Sequence, residues 1–173
     1  MACILAGDQI GMKRELNISW KSVFEFARPC VVVIPVDAPE LLLHGGESDL
    51  HITLLTVKDV NIDALHRVCS RVAKEASVFS VKLNEIDSFQ VDNETKTLHI
   101  PVSSPYLHEL RSKLIDEITE AGMGYSKKHD FKPHITLAYI STGAPIPAVK
   151  EQPAVDATSI EVWNNGVRFP YSF

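Results

Sequence analysis

Two identical tetrapeptides, His-Ile-Thr-Leu, begin at His51 and His134, 83 residues apart in a chain of 173. With seven histidines in the chain, a chance repeat of the tripeptide that follows one of them has odds on the order of one in a hundred or less. Side chains on a β-strand alternate between its two faces. Each tetrapeptide, placed on a strand, would therefore present its histidine and its threonine together and bury its isoleucine and leucine.

A pair of imidazoles beside a pair of hydroxyls suits the hydrolysis of a phosphodiester. The reference pKa of imidazole is about 6.5, so near neutral pH one ring can be neutral and the other protonated. The neutral ring can deprotonate the attacking oxygen, and the protonated ring can protonate the leaving oxygen. The hydroxyls of Thr53 and Thr136 can donate hydrogen bonds to the non-bridging oxygens. The catalytic candidates are His51, Thr53, His134 and Thr136, and the choice between base and acid stays open. No His-x-His or His-x-x-x-His cluster accompanies either motif, so we expect neither a metal nor a cofactor.

Two further residues flank the second motif. Lys132 is a candidate contact for phosphate and Tyr139 for a nucleobase, although a surface lysine and a strand-end tyrosine also have ordinary structural explanations. The adjacent pair His129 and Asp130 is more typical of a solvated loop than of a catalytic dyad. The other histidines show no partner pattern: His44, His66, His99 and His108.

Composition limits the partners and the compartment. The net charge of −5 does not fit long duplex nucleic acid, whose binding requires many basic side chains. A nucleotide, a cyclic oligonucleotide or an RNA end remains a suitable substrate. Three cysteines at wide spacing argue against a disulfide framework or a zinc ribbon. No apolar run is long enough to span a membrane and no signal peptide is recognisable, so we expect a cytoplasmic protein, in the host cytosol if it is viral.

Periodicity and turn signals predict two related α+β halves, each with a strand, a motif strand and a helix. One helix should begin after Asn61 and end near Ala76, and another should begin at Pro105 after Ser104 and stop at Gly122. A hairpin is predicted at 164–166. Strands are predicted at 30–36, 50–57, 79–86, 97–102, 133–140, 159–163 and 167–171.

At the paired motifs the chain resembles the two-histidine (2H) phosphoesterase superfamily, which includes 2′,3′-cyclic nucleotide phosphodiesterases. The resemblance is close at 49–51 and at 131–138, and it covers about residues 29–173. Residues 1–28 lie outside it, as an extension of unknown role. The resemblance implies a bilobal fold in which two pseudo-symmetric antiparallel sheets line a central cleft with helices outside. It also implies that His51, Thr53, His134 and Thr136 carry the activity.

Several functions remain open at this level. The most economical is a metal-independent phosphodiesterase that opens a 2′,3′-cyclic phosphate on a nucleotide or an RNA end. One alternative is a hydrolase of cyclic or 2′-5′-linked oligonucleotide immune messengers, as in viral anti-defence proteins. Another is a nucleotide-binding module without turnover, which the presence of both histidines and both threonines disfavours because a binder needs neither acid nor base. The sequence does not indicate an oligomeric state.

Overall fold

Residues 29–147 and 154–173 are described by the computed structural model. Ten strands and two α-helices form within these ranges. The strands are β1 (Val31–Pro35), β2 (His51–Lys58), β3 (Phe79–Leu83), β4 (Asp87–Gln90), β5 (Thr95–Ser103), β6 (Gly124–Tyr125), β7 (His134–Ser141), β8 (Val155–Ala157), β9 (Ser159–Asn164) and β10 (Val167–Ser172). The helices are α1 (Ile62–Glu75), between β2 and β3, and α2 (Pro105–Glu120), between β5 and β6.

The strands form one continuous antiparallel path in the order β10-β9-β1-β2-β7-β5-β3-β8, with β4 added to β5 and β6 to β2. The path divides at its centre, where β2 and β7 are joined through the single pair Ile52 and Ile135. On one side β2 is followed by β1 and β9, and on the other β7 is followed by β5 and β4. The predicted α+β architecture with two pseudo-symmetric antiparallel halves is confirmed.

Both helices cover the same apolar face of this sheet. In α1 the side-chain oxygen of Asn61 accepts a hydrogen bond from the Ala64 N–H and caps the first turn. The residues of α2 that recur every three to four positions form one buried face. They are Leu107, Leu110, Leu114 and Ile118. Each such side chain stabilises the fold by roughly 1.5–3 kcal/mol. The helices therefore leave the opposite face of β2 and β7 uncovered by either of them. Neither described helix is long and apolar enough to cross a membrane.

The predicted helices and the principal strands are confirmed to within three residues at their ends. Asn165 and Gly166 both have positive φ at the predicted hairpin, as that turn requires. The prediction missed three short strands: β4, which lies between the predicted strands at 79–86 and 97–102, and β6 and β8. The 1–28 extension lies outside the described residues, as do residues 148–153.

The two described cysteines are free thiols within the core. Cys30 is 6% exposed and Cys69 is 0% exposed. Burial raises the pKa of Cys30, and it raises the pKa of Cys69 to about 12. Both thiols therefore stay protonated near neutral pH and are poor nucleophiles.

Candidate active site

The register of the two motif strands brings the histidines and threonines together. Ile52 pairs with Ile135 in antiparallel orientation, so the next residues on each side oppose one another. This places His51 across from Thr136 and Thr53 across from His134, about an approximate two-fold axis through the isoleucine pair. The two isoleucines are fully buried on the helix side, whereas all four polar side chains retain exposure. The predicted catalytic candidates thus share one face at the centre of the sheet.

Each motif strand has a β-bulge, and the two bulges lie at equivalent positions. On β2 the pairing passes from Thr53 to Leu55, and on β7 it passes from Thr136 to Ala138. The extra residue is the leucine that ends each tetrapeptide, Leu54 or Leu137. A bulge bends its strand and re-aims nearby side chains. Its recurrence makes the two motifs equivalent in backbone as well as in sequence.

The carbonyl groups of these two bulge leucines are satisfied from outside the ladder. Arg111 Nε on α2 donates to the Leu54 carbonyl oxygen at 2.9 Å. The Glu47 N–H donates to the Leu137 carbonyl oxygen at 2.8 Å. A buried carbonyl left unpaired would cost free energy. These two donors therefore fix the backbone immediately after each motif threonine.

Both motif histidines are oriented by the same kind of hydrogen bond. His51 Nδ1 lies 2.8 Å from the carbonyl oxygen of Asp49, and His134 Nδ1 lies 2.8 Å from that of Lys132. A carbonyl oxygen can only accept, so Nδ1 donates in both rings. In its neutral form each ring then has an unprotonated Nε2 that can take a proton, and in its cationic form an Nε2–H that can give one.

An aromatic side chain from the third strand of each half contacts the histidine of that half. Trp163 on β9 lies with its ring centre 4.4 Å from that of His51, and Phe89 on β4 lies 5.8 Å from that of His134, edge to face. The two aromatics occupy equivalent register positions, since Trp163 pairs with Val31 and Phe89 with Thr97. Sequence reasoning missed both, because the signal appears only when the strand order is known.

Charged groups surround His51. Arg168 forms an ion pair with the Asp49 carboxylate, at 2.6 Å between Nη2 and Oδ2, and its guanidinium lies 4.3 Å from the centre of the Trp163 ring. Burial lowers the pKa of His51, and the charge of Arg168 lowers it further against opposing effects of the Asp49 carbonyl and the Glu47 carboxylate. His51 is therefore held toward its neutral form.

The loop before β2 reaches across to the second motif. Gly46 lies so close to β7 that a Cβ at this position would be 2.4 Å from the Leu137 carbonyl oxygen. This approach allows the hydrogen bond from Glu47 to the same oxygen. The Glu47 carboxylate also raises the pKa of Tyr139, after the larger effect of burial. The loop thus ties the first motif to the second.

The two predicted substrate contacts differ in their setting. Lys132 is exposed, and it is its backbone carbonyl, not its ammonium group, that contacts His134. Tyr139 is 39% exposed and pairs with Thr97 on β5, the same residue that Phe89 pairs with from β4. Its raised pKa keeps its hydroxyl protonated as a donor. Phe89, Thr97 and Tyr139 therefore lie side by side on three adjacent strands, close to the second motif.

Other histidines resolve into different environments. His129 and the neighbouring Asp130 are exposed, as expected of a loop. The sequence shows no partner pattern for His99, but in the fold its ring centre lies 5.3 Å from that of His134. Within residues 29–147 and 154–173, no group of three or more His, Cys, Asp or Glu side chains is arranged to hold a metal ion.

Comparison with known proteins agrees with this architecture. The profile of the 2′-5′ RNA ligase superfamily matches residues 44–168, which is more than half of the chain and includes both motifs. No curated protein sequence matches the chain. Several solved structures are similar in fold. A phosphoesterase has a TM-score of 0.57 at 19% identity, covering 86% of this chain and 96% of its own.

Two further similar structures come from named organisms. E. coli LigT without ligand has a TM-score of 0.57 at 20% identity, with 85% of this chain and 95% of LigT covered. Usb1 of Kluyveromyces marxianus has a TM-score of 0.54 at 10% identity, with 83% and 97% covered. The fold is that of the 2H phosphoesterases, enzymes that act on phosphodiester bonds. The chain belongs to the 2′-5′ RNA ligase superfamily within that class, as the sequence resemblance implied.

Proposed function

We propose that this protein is a metal-independent phosphodiesterase that hydrolyses a nucleotide or RNA-end phosphodiester, most economically a 2′,3′-cyclic phosphate. The observation that carries the proposal is the antiparallel pair Ile52 and Ile135. It sets two His–Thr pairs around one point with opposite orientations. An in-line displacement needs its base and its acid on opposite sides of phosphorus, and a two-fold arrangement supplies this.

The surroundings of the two rings suggest which has which role. Burial lowers the pKa of His51, with a further contribution from Arg168, so His51 is the ring suited to be neutral and to act as base. In the proposed reaction, Nε2 of His51 takes a proton from water as the water oxygen bonds to phosphorus. Nε2–H of His134 protonates the ribose oxygen as its bond to phosphorus breaks. The product is a phosphomonoester with a free neighbouring hydroxyl.

The remaining candidates fit the needs of the phosphate and the base. The Thr53 and Thr136 hydroxyls, one on each side of the axis, would donate to the non-bridging oxygens. Tyr139 would contact the nucleobase, and Lys132 would contribute its charge to phosphate binding from the exposed surface. Structures of E. coli LigT with 3′-AMP and with phosphate make such ligands reasonable for a protein of this fold.

A substrate panel with EDTA present tests the proposal. The panel contains 2′,3′-cyclic mononucleotides, 2′-5′ oligoadenylate, and cyclic di- and trinucleotides, each incubated with the purified protein. We expect turnover of the 2′,3′-cyclic mononucleotides, unaffected by the chelator. Turnover restricted to the oligonucleotides would transfer the proposal to the messenger-hydrolase alternative. Turnover that EDTA abolishes and only a divalent cation restores would contradict the metal-free mechanism.

A further inference from the structure

The two halves of the site differ at one buried position. Val33 pairs with Thr53 in the first half, and His99 pairs with Thr136 in the second. Both are buried, at 0% and 8% exposure. The fold therefore requires a buried side chain beside each motif threonine, and Val33 shows that this side chain need not be polar. A histidine at the second position calls for another explanation.

His99 belongs to a cluster of three rings. Its ring centre lies 5.3 Å from that of His134 at an interplanar angle of 72°, and 4.9 Å from that of Phe89. Phe89 in turn contacts His134. The charged and titratable groups that face His99 are His134 on β7 and Asp87, its register partner on β4. His99 and Phe89 therefore both pack against the His134 ring.

The position is unfavourable for a polar side chain that has no role. His99 Nδ1 is buried and makes no hydrogen bond of normal geometry among the described residues, although the Thr97 backbone lies near enough to raise the pKa of the ring. A buried polar atom that is not fully hydrogen-bonded costs free energy. Burial lowers the pKa of His99, the charge of His134 lowers it further, and Asp87 opposes them. His99 is therefore held toward its neutral form.

We propose that His99 is a positioning residue for His134. Its neutral ring packs against the His134 ring and, together with the Lys132 carbonyl, holds His134 Nε2 toward the phosphate site. It also places a polar ring beside the proton that His134 donates. Val33, at the equivalent position in the first half, is a hydrocarbon side chain. This role depends on the proposed function in one respect, namely that His134 is the acid.

The test uses His99→Val, which copies the residue found at the equivalent position in the first half. We expect kcat to fall roughly 10-fold with KM changed less than about twofold, because an orienting contact and not a substrate contact is lost. Thr97→Val is the matched control. It replaces another buried, unpaired polar atom on β5 and should leave both kcat and KM unchanged.

NMR spectra of the His134 ring in the substrate-free protein separate this inference from the proposed function. We expect the His134 ring resonances of folded His99→Val to shift and broaden relative to wild type, because a packing partner of the ring is lost, and those of Thr97→Val to stay in place. That change would support the contact even if no member of the substrate panel is turned over. Unchanged resonances, or wild-type kcat in folded His99→Val while His134→Ala is inactive, would overturn the positioning role and leave the proposed function in place.

Discussion

The two halves of the site share a backbone plan but give their histidines different neighbours. His51 is held by an Asp49 carbonyl, packed by Trp163 and placed near the guanidinium of Arg168. His134 is held by a Lys132 carbonyl and packed by Phe89 and a second imidazole, that of His99. A symmetric frame with unlike surroundings is what a reaction needs when two chemically identical groups must take opposite roles.

The same comparison extends to how each bulge is supported. In the first half the leucine carbonyl is bound by a side chain, Arg111, which also lies 4.5 Å from the Phe131 ring. In the second half it is bound by a backbone N–H, that of Glu47, in a loop that must be glycine at residue 46. The first support can be removed by truncating a side chain, whereas the second can be disturbed only by moving backbone.

The largest expected effect comes from removing either histidine. His51→Ala and His134→Ala should each lower kcat about 10²- to 10⁴-fold, while Thr53→Ala and Thr136→Ala should lower it less, as expected for one hydrogen-bond donor. Residual rates measured across pH 5 to 9 should show only the basic limb in His51→Ala and only the acidic limb in His134→Ala. The reverse loss of limbs would exchange the two roles, and near wild-type turnover in either histidine variant would refute the pair.

A smaller but still large effect is expected for Gly46→Ala. The added Cβ would meet the Leu137 carbonyl oxygen at 2.4 Å, so the loop must shift and release the hydrogen bond from Glu47. We expect kcat/KM to fall roughly 10- to 100-fold, because a displacement of about 1 Å near the chemistry has effects of this size. Gly143→Ala is the control, since a Cβ there meets nothing within 4 Å. Equal kinetics in the two variants would show that the loop does not support the site.

Arg111→Ala should act mainly on stability. The Leu54 carbonyl loses its donor and the contact with the Phe131 ring disappears, which should lower the free energy of unfolding by about 1–3 kcal/mol. Urea unfolding measures this directly. Lys113→Ala, on the same helix, breaks only a surface ion pair with Glu75 and should lower the free energy of unfolding much less, because solvent screens exposed ion pairs. If Arg111→Ala cost no more than the control, the two bulges would not depend on their outside donors.

The smallest effect concerns the charge near His51. Burial is the main cause of its lowered pKa and Arg168 contributes in the same direction, while Asp49 and Glu47 oppose it. In Arg168→Gln a lowering charge is gone, so the pKa of His51 rises toward its reference value. His51 is then protonated up to a higher pH, so the acidic limb of kcat/KM should move to higher pH. Arg71→Gln, a surface arginine on α1 paired with Glu117, should leave the limb in place, and a downward shift in Arg168→Gln would contradict the assignment.

Local signals in the sequence predicted much of the fold. Asn61 and Pro105 begin the helices as their side-chain chemistry requires, and the Asn-Gly pair at 165–166 makes the hairpin. Strand β4 escaped prediction because it has only four residues and is exposed along most of its length. Its apolar residue Phe89 contacts the His134 ring. The strand therefore has no alternation of buried and exposed side chains by which the sequence pattern could have revealed it.

For the site, the repeated tetrapeptide by itself determined that each histidine shares a face with its threonine, because alternation along a strand is a local property. That the two motifs lie side by side, opposed through Ile52 and Ile135, was decided only by the tertiary structure. Strand pairing joins residues far apart in the chain, and its register follows from the packing of a whole sheet against both helices. The same holds for Trp163, Phe89 and His99, whose meaning depends on which strand lies next to which.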